Sequence, residues 1–214
     1  TALNAYGQEN LSAAEASDSL FVAVRAGKTT VEELATTLGR VIPLASNAGV
    51  SFDELNAAVA ALTTQGINTA EAVTGLRALL TEVVRAGADE GSRAAKTARE
   101  LGIEFNAAAL EAQGFAGFIT EVTEKSRGNT EILSKLFGSV EAAGVALAFA
   151  GGAGAKFNDI LDEQEQKAGA TAEAYRKVAD SLSQRLQRAQ SNIGQSFRRI
   201  GATLLPVLTL ALEG

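Results

Sequence analysis

The last third of the chain carries apolar or small side chains at every third or fourth position. This spacing is typical of one face of an α-helix. The pattern repeats every eleven residues, about 3.67 residues per turn, so the apolar face stays on one side with little supercoiling. We expect one long helix over about residues 171–203, ended or kinked by Pro206. The apolar positions are Val178, Leu182, Leu186, Ala189, Ile193, Phe197, Ile200 and Leu204.

Shorter helices are predicted in the first half of the chain by the residues at their ends. A capping residue is followed three positions later by Glu at Ser12, Thr30, Ser51 and Asn68. This is the spacing of a capping box, in which each side chain accepts the other residue's backbone N–H. Glycines directly after apolar runs predict helix ends. These glycines are Gly27, Gly49, Gly66, Gly87, Gly102 and Gly128.

The end signals of these helices repeat after 39 residues. The shift places Ser12 on Ser51, Gly27 on Gly66 and Leu34 on Val73. A third copy fails, because the next position for the glycine is Phe105. We therefore expect a duplicated helical hairpin.

The middle of the chain is predicted to be a helical bundle around aromatic and aliphatic anchors. A block of glycines at 151–154 fits a hinge better than a phosphate-binding loop, because Lys156 is followed by Phe157 and not by Ser or Thr. The anchors are Phe105, Leu110, Phe115, Phe118 and Ile119, continued by Ile132, Leu133, Leu136, Phe137 and Val140.

These patterns predict an all-α fold in which short helical hairpins pack into a bundle, followed by one long amphipathic helix. We divide the chain into a duplicated hairpin region at 1–102, a bundle with the glycine-rich hinge at 103–168, and an oligomerising helix with an apolar end at 169–214. Composition agrees, because alanine is the most frequent residue and aromatic residues make up only 5%.

Missing residue types restrict the chemistry of this chain. It has no His, Cys, Met or Trp, so it lacks the usual nucleophile pairs, zinc ligands and disulfides. Carboxylate pairs such as Asp162 with Glu165, or Glu32 with Glu33, are ordinary for a polar helix face. We expect no enzymatic activity, cofactor or metal, and assign no catalytic residue. The absence of an initiator Met leads us to expect a piece of a longer protein.

Charge is unevenly distributed, although the net charge is −6. The acidic total argues against sequence-independent binding of nucleic acid, although it leaves room for one locally basic element. We also expect no sequence-specific nucleic acid partner. Acidic residues dominate at 159–165, and the predicted long helix that follows is basic. Three interpretations remain open, namely a solvated face, a self-associating helix, and an amphipathic helix on a membrane surface. The basic residues are Arg176, Lys177, Arg185, Arg188, Arg198 and Arg199.

Several short segments of the sequence closely resemble the core region of the tail tape measure proteins of long-tailed bacteriophages and related tail-like particles. The segments occur in the same order and are spread over nearly the whole chain, which makes the resemblance specific. They are EASDSLF at 15–21, KTTVEELA at 28–35, AGVSFDEL at 48–55, QGINTAEAVTGLRALL at 65–80, ELGI at 100–103, LFGSVEA at 136–142 and AGAT at 168–171.

The resemblance implies a structural role in the lumen of a phage tail. The six glycines that end helices indicate that residues 1–168 fold back into a compact block, so we expect this block at one end of the tail, near the tip, and the extended ruler outside this chain. Tape measure proteins set tail length, take part in tail assembly with tube, tip, distal tail and hub proteins, and leave the tube ahead of the DNA. The three-fold symmetry of such tips favours a homotrimer, with a hexamer second. The residues that we expect to associate are Val178, Leu182, Leu186, Ile193, Phe197, Ile200 and Leu204.

Other interpretations stay open beside this one. In the first, the apolar residues of the long helix pack on the chain's own helical block and not on other copies. In the second, the basic helix and the apolar run at 204–212 perturb the host membrane or form a channel during DNA ejection. A generic helical adaptor bundle is a further alternative, although the heptads of a long signalling coiled coil are missing.

Overall fold

In the computed structural model every regular element within the described residues is a helix, which confirms the predicted all-α class. The structure describes residues 2–7, 10–181 and 183–185. The described residues up to 170 form one compact unit, called the helical unit here, and those from 171 onward belong to a second.

The helical unit is built from eleven α-helices within the described residues. They are α1 Ala2–Tyr6, α2 Ala13–Ala26, α3 Val31–Thr37, α4 Ile42–Asn47, α5 Phe52–Thr64, α6 Thr69–Ala88, α7 Arg93–Leu101, α8 Ala107–Ser126, α9 Thr130–Phe137, α10 Val140–Ala150 and α11 Gly152–Glu165. A 3-10 turn at Leu38–Arg40 joins α3 to α4. The next helix, α12, is helical at 170–181 and 183–185.

The predicted capping residues begin their helices. Reciprocal capping boxes form between Ser12 and Glu15, between Thr30 and Glu33, and between Ser51 and Glu54. Asn68 caps α6 by accepting the N–H of Glu71 at 2.9 Å. Local hydrogen bonding therefore fixes where these four helices start.

Glycine follows the helix ends at five of the six predicted positions. Gly49, Gly66, Gly102 and Gly128 have positive φ angles, which glycine adopts without strain. The prediction at Gly87 was wrong, because α6 continues to Ala88. There the glycine permits close packing: a Cβ atom would lie 2.9 Å from Cβ of Asn106.

The core is formed by small side chains around α5 and by phenylalanines around α8. Helix α5 is buried from Leu55 to Thr63 and packs against α2 and α11. Phe115, Phe149 and Phe157 make three edge-to-face contacts with ring centroids 5.6–5.7 Å apart. This geometry adds stability beyond the buried area.

The predicted anchors of the bundle are buried with two exceptions. Phe105 packs against Phe118 and Phe137 at ring-centroid distances of 5.5 and 5.4 Å. Ile132 is only partly buried. Val140 was wrongly assigned to the core, since its exposure is 86%. Gly138 ends α9 in the left-handed conformation, so α10 starts a new helical phase in which Val140 points outward.

The two predicted regions of the helical unit share one core, because α6 packs on α10 and α5 packs on α11. The glycine block is the corner between the last two helices: Gly151 ends α10, and α11 begins at Gly152. A Cβ atom on Gly154 would run into the backbone oxygen of Phe149. The region boundaries and the hinge stay predictions.

Candidate interaction surfaces

The described part of α12 carries three of the predicted basic residues on its surface. Arg176, Lys177 and Arg185 are exposed. Lys177 forms an ion pair with Glu173 one turn earlier, at 2.7 Å. Such exposed pairs contribute little stability, so these cations remain accessible to a partner. Arg188, Arg198 and Arg199 lie outside the described residues.

The predicted apolar stripe of α12 begins at an exposed position. Val178 is 66% exposed. Tyr175, which the sequence pattern missed, is 75% exposed and lies one turn before Val178 on the same face. The spacing of three residues was the available signal for it. Leu182, Leu186, Ile193, Phe197, Ile200 and Leu204 lie outside the described residues.

The C-terminal end of the helical unit is fastened to its body by three polar contacts. Gly169, with φ of +78°, donates its N–H to the carboxylate of Asp18 at 2.7 Å. Lys167 forms an ion pair with Asp53, and their side chains are only 15% and 29% exposed. One turn earlier, Gln164 donates to the backbone oxygen of Ser19 at 3.1 Å. We call this set the C-terminal anchor.

Electrostatics at the start of α2 also involve this anchor. The backbone N–H and the side chain of Ser12 lower the pKa of the Glu15 carboxyl, and the charge of Lys167 adds a smaller contribution.

The partners in the C-terminal anchor are more than 100 residues apart in sequence. No local pattern in the sequence marks such pairs, which is why the sequence analysis missed them.

A groove runs along the surface between α6 and α10. It consists of two adjoining depressions of about 430 and 540 Å³ that share Thr74 and Glu141. Its apolar lining includes Val73, Val140 and Val145. We call this feature the α6–α10 groove. An apolar lining with charged residues at its rim is a common form of protein interaction surface.

Within the described part of the chain, no group of acidic residues is arranged to hold a metal ion. No described helix is both long and apolar enough to cross a membrane. In the carboxylate pair Glu32 and Glu33, which the sequence analysis considered, Glu33 is part of a helix cap. Its carboxylate accepts a hydrogen bond from the N–H of Thr30 at 3.0 Å.

Comparisons with known proteins agree with the resemblance seen in the sequence. A probable tape measure protein of Clostridium phage phiCD119 is 28% identical over 193 residues, which is 87% of this chain. The match covers 20% of that relative's length. No solved structure matches.

The family described as phage-related minor tail protein matches residues 1–138. This match covers more than half of the chain and includes α1 to α9. Together with the tape measure relative, it confirms that the chain is related to phage tail tape measure proteins. The chain therefore belongs to the family of phage-related minor tail proteins.

Proposed function

We propose that this chain is a structural segment of a tail tape measure protein, located in the lumen of the tail tube near the tip. In this role it takes part in tail length determination, tail assembly and genome delivery. The observation that carries the proposal is that the chain consists of two successive parts. A helical unit with a buried core comes first, and a helix with exposed apolar and basic side chains follows it.

The architecture supports an end position better than a ruler position. A helix rises about 1.5 Å per residue, so the 20 residues of α6 span roughly 30 Å. In the helical unit the chain repeatedly turns back, and α6 lies against α10 instead of extending the length. We therefore place the extended ruler outside residues 1–168, and the helical unit at one end of the tail.

The self-association that we propose uses the helix that begins at 170. Tyr175 and Val178 expose apolar surface at the start of the stripe, and the sequence continues the stripe to Leu204. Burial of such a stripe against copies of itself is the usual driving force for helix association. We propose a homotrimer first and a hexamer second, with tail tube, tip, distal tail and hub proteins as neighbours.

The location is tested by imaging the intact tail particle. A density map is compared with that of a particle whose tape measure protein lacks the helical unit, residues 1–170. The proposal expects difference density on the tail axis near the tip. Difference density on the outer surface, or spread evenly along the tube, would overturn the placement.

The self-association is tested with a double substitution, Leu186→Asp with Ile193→Asp, in the full chain. Light scattering is expected to give a molar mass reduced to that of the monomer, because charges then interrupt the apolar stripe. The matched control is Ser183→Asp, which adds a charge at an exposed position off the stripe. An unchanged mass in the double variant would contradict association through α12, as would a monomer that unfolds.

A further inference from the structure

The C-terminal anchor joins its segment to the rest of the helical unit by polar contacts. Ile160 is the last fully buried apolar side chain before it. From 161 to 169 the one buried residue is Gln164, which is polar. Burial of apolar side chains is the main driving force for folding elsewhere in such a unit. The attachment of residues 164–169 to α2 and α5 therefore depends on the polar contacts of the anchor.

Three oxygen atoms in and beside the anchor are buried without a hydrogen-bond partner among the described residues. They are Oδ1 of Asp53, Oδ1 of Asn56 and Oε1 of Gln164. Asn56 donates its amide N–H to the hydroxyl oxygen of Ser19 at 2.9 Å, and Gln164 donates to the backbone oxygen of Ser19 at 3.1 Å. Both amides thus use their nitrogen and leave their oxygen unpaired. A buried acceptor without a donor is less stable than the same group in water.

The three unpaired oxygens lie in one part of the structure. Asp53 and Asn56 are three residues apart on α5, so they lie on the same side of that helix. Lys167 follows Gln164 by three residues, and a backbone hydrogen bond of 3.2 Å joins the two. Lys167 contacts Asp53, whereas Asn56 and Gln164 both contact Ser19. The unpaired oxygens are therefore concentrated where the end of α11 meets α5 and α2.

We propose that the C-terminal anchor is a release joint, at which residues 164–169 detach from α2 and α5 while the core of the helical unit stays folded. Detachment hydrates the unpaired oxygens and exposes little apolar surface, so it costs less free energy than unfolding of the unit. The six residues span about 20 Å when extended. They would lengthen the connection through which the chain leaves the helical unit after Ala170. The inference concerns the fold, goes beyond the proposed function and holds wherever the chain lies in the tail.

Hydrogen exchange of the Gly169 amide in the full chain reports on the joint, because this N–H donates to Asp18 at 2.7 Å only in the attached state. The reference is the amide of Leu62 in the buried helix α5. We expect the protection factor of Gly169 to be at least about 100-fold smaller, with a weaker dependence on urea, because less surface is exposed. Equal protection and equal urea dependence would overturn the proposal. So would a Gly169 amide without protection, because the joint would then not close.

A core substitution separates detachment from unfolding. Leu133→Ala on α9 removes a fully buried side chain from a helix that packs against α6, α7 and α10. We expect the protection of Leu62 to fall about 100-fold, and that of Gly169 to stay unchanged, since the core is folded in both states of the joint. A parallel fall at Gly169 would overturn the proposal. Leu133→Val gives the same comparison with a smaller fall if the alanine variant does not fold.

The unpaired oxygens are tested by replacing both amides and the hydroxyl between them with apolar groups, in the variant Ser19→Ala, Asn56→Leu, Gln164→Met. If these hydrogen bonds only held the segment in place, their loss would speed exchange at Gly169. The proposal expects exchange about tenfold slower, because groups of similar shape replace polar atoms that lack partners. Faster or unchanged exchange would refute this role of the amides.

The ion pair is tested separately with Lys167→Met. This variant leaves the carboxylate of Asp53 partly buried without its cation, so we expect exchange at Gly169 to become about tenfold faster. The matched control is Lys135→Met, which removes the exposed ion pair with Glu131 on α9. Exchange at Gly169 should be unchanged in the control. If the two variants behave alike, the ion pair does not hold the joint closed and the proposal is wrong.

Discussion

The two copies of the predicted helical repeat, called copy 1 (residues 12–50) and copy 2 (residues 51–89), share their capping signals but differ in how their helices are packed. Both begin with a capping box, at Ser12 and at Ser51. The first helix of copy 2, α5, is buried along nearly its whole length, whereas α2 of copy 1 buries only Asp18, Ser19, Val22 and Ala23. The capping signals set where each helix starts, and neighbouring helices decide how much of it is buried.

The second halves of the copies differ in continuity. In copy 2, α6 runs for 20 residues without a break. In copy 1 the same stretch is divided into α3, the 3-10 turn and α4, with Pro43 in the first turn of α4. Proline lacks the N–H that a continuous helix needs at this point. The unbroken helix is the one that packs most extensively on α10.

The largest difference between the copies in the stability cost of a substitution is expected at the aligned positions Thr36 and Gly75. Thr36 is exposed on α3. A Cβ atom on Gly75 would press on Cγ2 of Val145 and lie 3.0 Å from the backbone oxygen of Glu141. Gly75→Thr, which gives copy 2 the residue of copy 1, should therefore lower the free energy of unfolding by about 3 kcal/mol through overpacking.

Urea denaturation of the full chain measures this loss. The reciprocal control, Thr36→Gly, should cost less than about 1 kcal/mol, because an exposed position loses some helix propensity and the hydrogen bonds of the Thr36 hydroxyl to the backbone oxygens of Glu32 and Glu33. Gly75→Ala should fall between the two and remains measurable if the threonine variant does not fold. Equal costs at the two positions would show that the close approach of α6 and α10 contributes nothing to stability.

A smaller difference in stability cost is expected at the aligned glycines Gly27 and Gly66, which are needed for different reasons. Gly27 has an ordinary φ of −96°, but a Cβ atom there would lie 2.9 Å from Oγ1 of Thr63 and 3.0 Å from Cα of Ala60. Gly66 has open space around it and a φ of +90°. We expect Gly27→Ala to cost about 2 kcal/mol by steric overlap, and Gly66→Ala about 1 kcal/mol by backbone strain.

Asparagine separates the two causes, because it tolerates the left-handed conformation better than alanine does. Gly66→Asn should recover stability relative to Gly66→Ala. Gly27→Asn should be at least as unstable as Gly27→Ala, since the larger side chain meets the same atoms. Thermal unfolding of the four variants tests this order, and recovery at position 27 would refute the steric explanation.

Local chemistry explains why much of the fold was predictable from the sequence. Three reciprocal capping boxes and the left-handed glycines depend on residues within a few positions of each other. The class of the fold follows from the same signals, together with the high helix propensity of alanine.

Long-range geometry explains what was missed. The aligned glycines look alike in sequence, yet only the packing of α5 reveals why Gly27 is needed. The same holds for the C-terminal anchor, where Asp18 and Gly169 meet across the unit, and for Val140, whose helical phase depends on the conformation of Gly138. Periodicity identifies a buried face but not the partner that covers it.

The third contrast concerns the capping glutamates Glu15 and Glu54. Both accept the backbone N–H of the capping serine, at 2.8 and 3.0 Å. Glu54 also accepts the N–H of Phe115 at 2.7 Å, just after the kink that Gly114 makes in α8. It therefore caps two helices. We expect Glu54→Ala to cost about 2 kcal/mol, because it leaves that partly buried N–H without an acceptor, and Glu15→Ala to cost less.

Hydrogen exchange distinguishes the second cap from the first. Protection of the Phe115 amide should fall in Glu54→Ala and stay unchanged in Glu15→Ala.

The pH dependence of stability tests the cap formed by Glu15, whose pKa is lowered from 4.5 in the folded state. Its stabilising contribution is complete above that value and is lost as the pH falls through the folded pKa. The stability difference between the parent chain and Glu15→Gln should therefore shrink as the pH falls below the ordinary glutamate pKa of 4.5. A difference independent of pH would mean that the charge of Glu15 adds nothing to its cap.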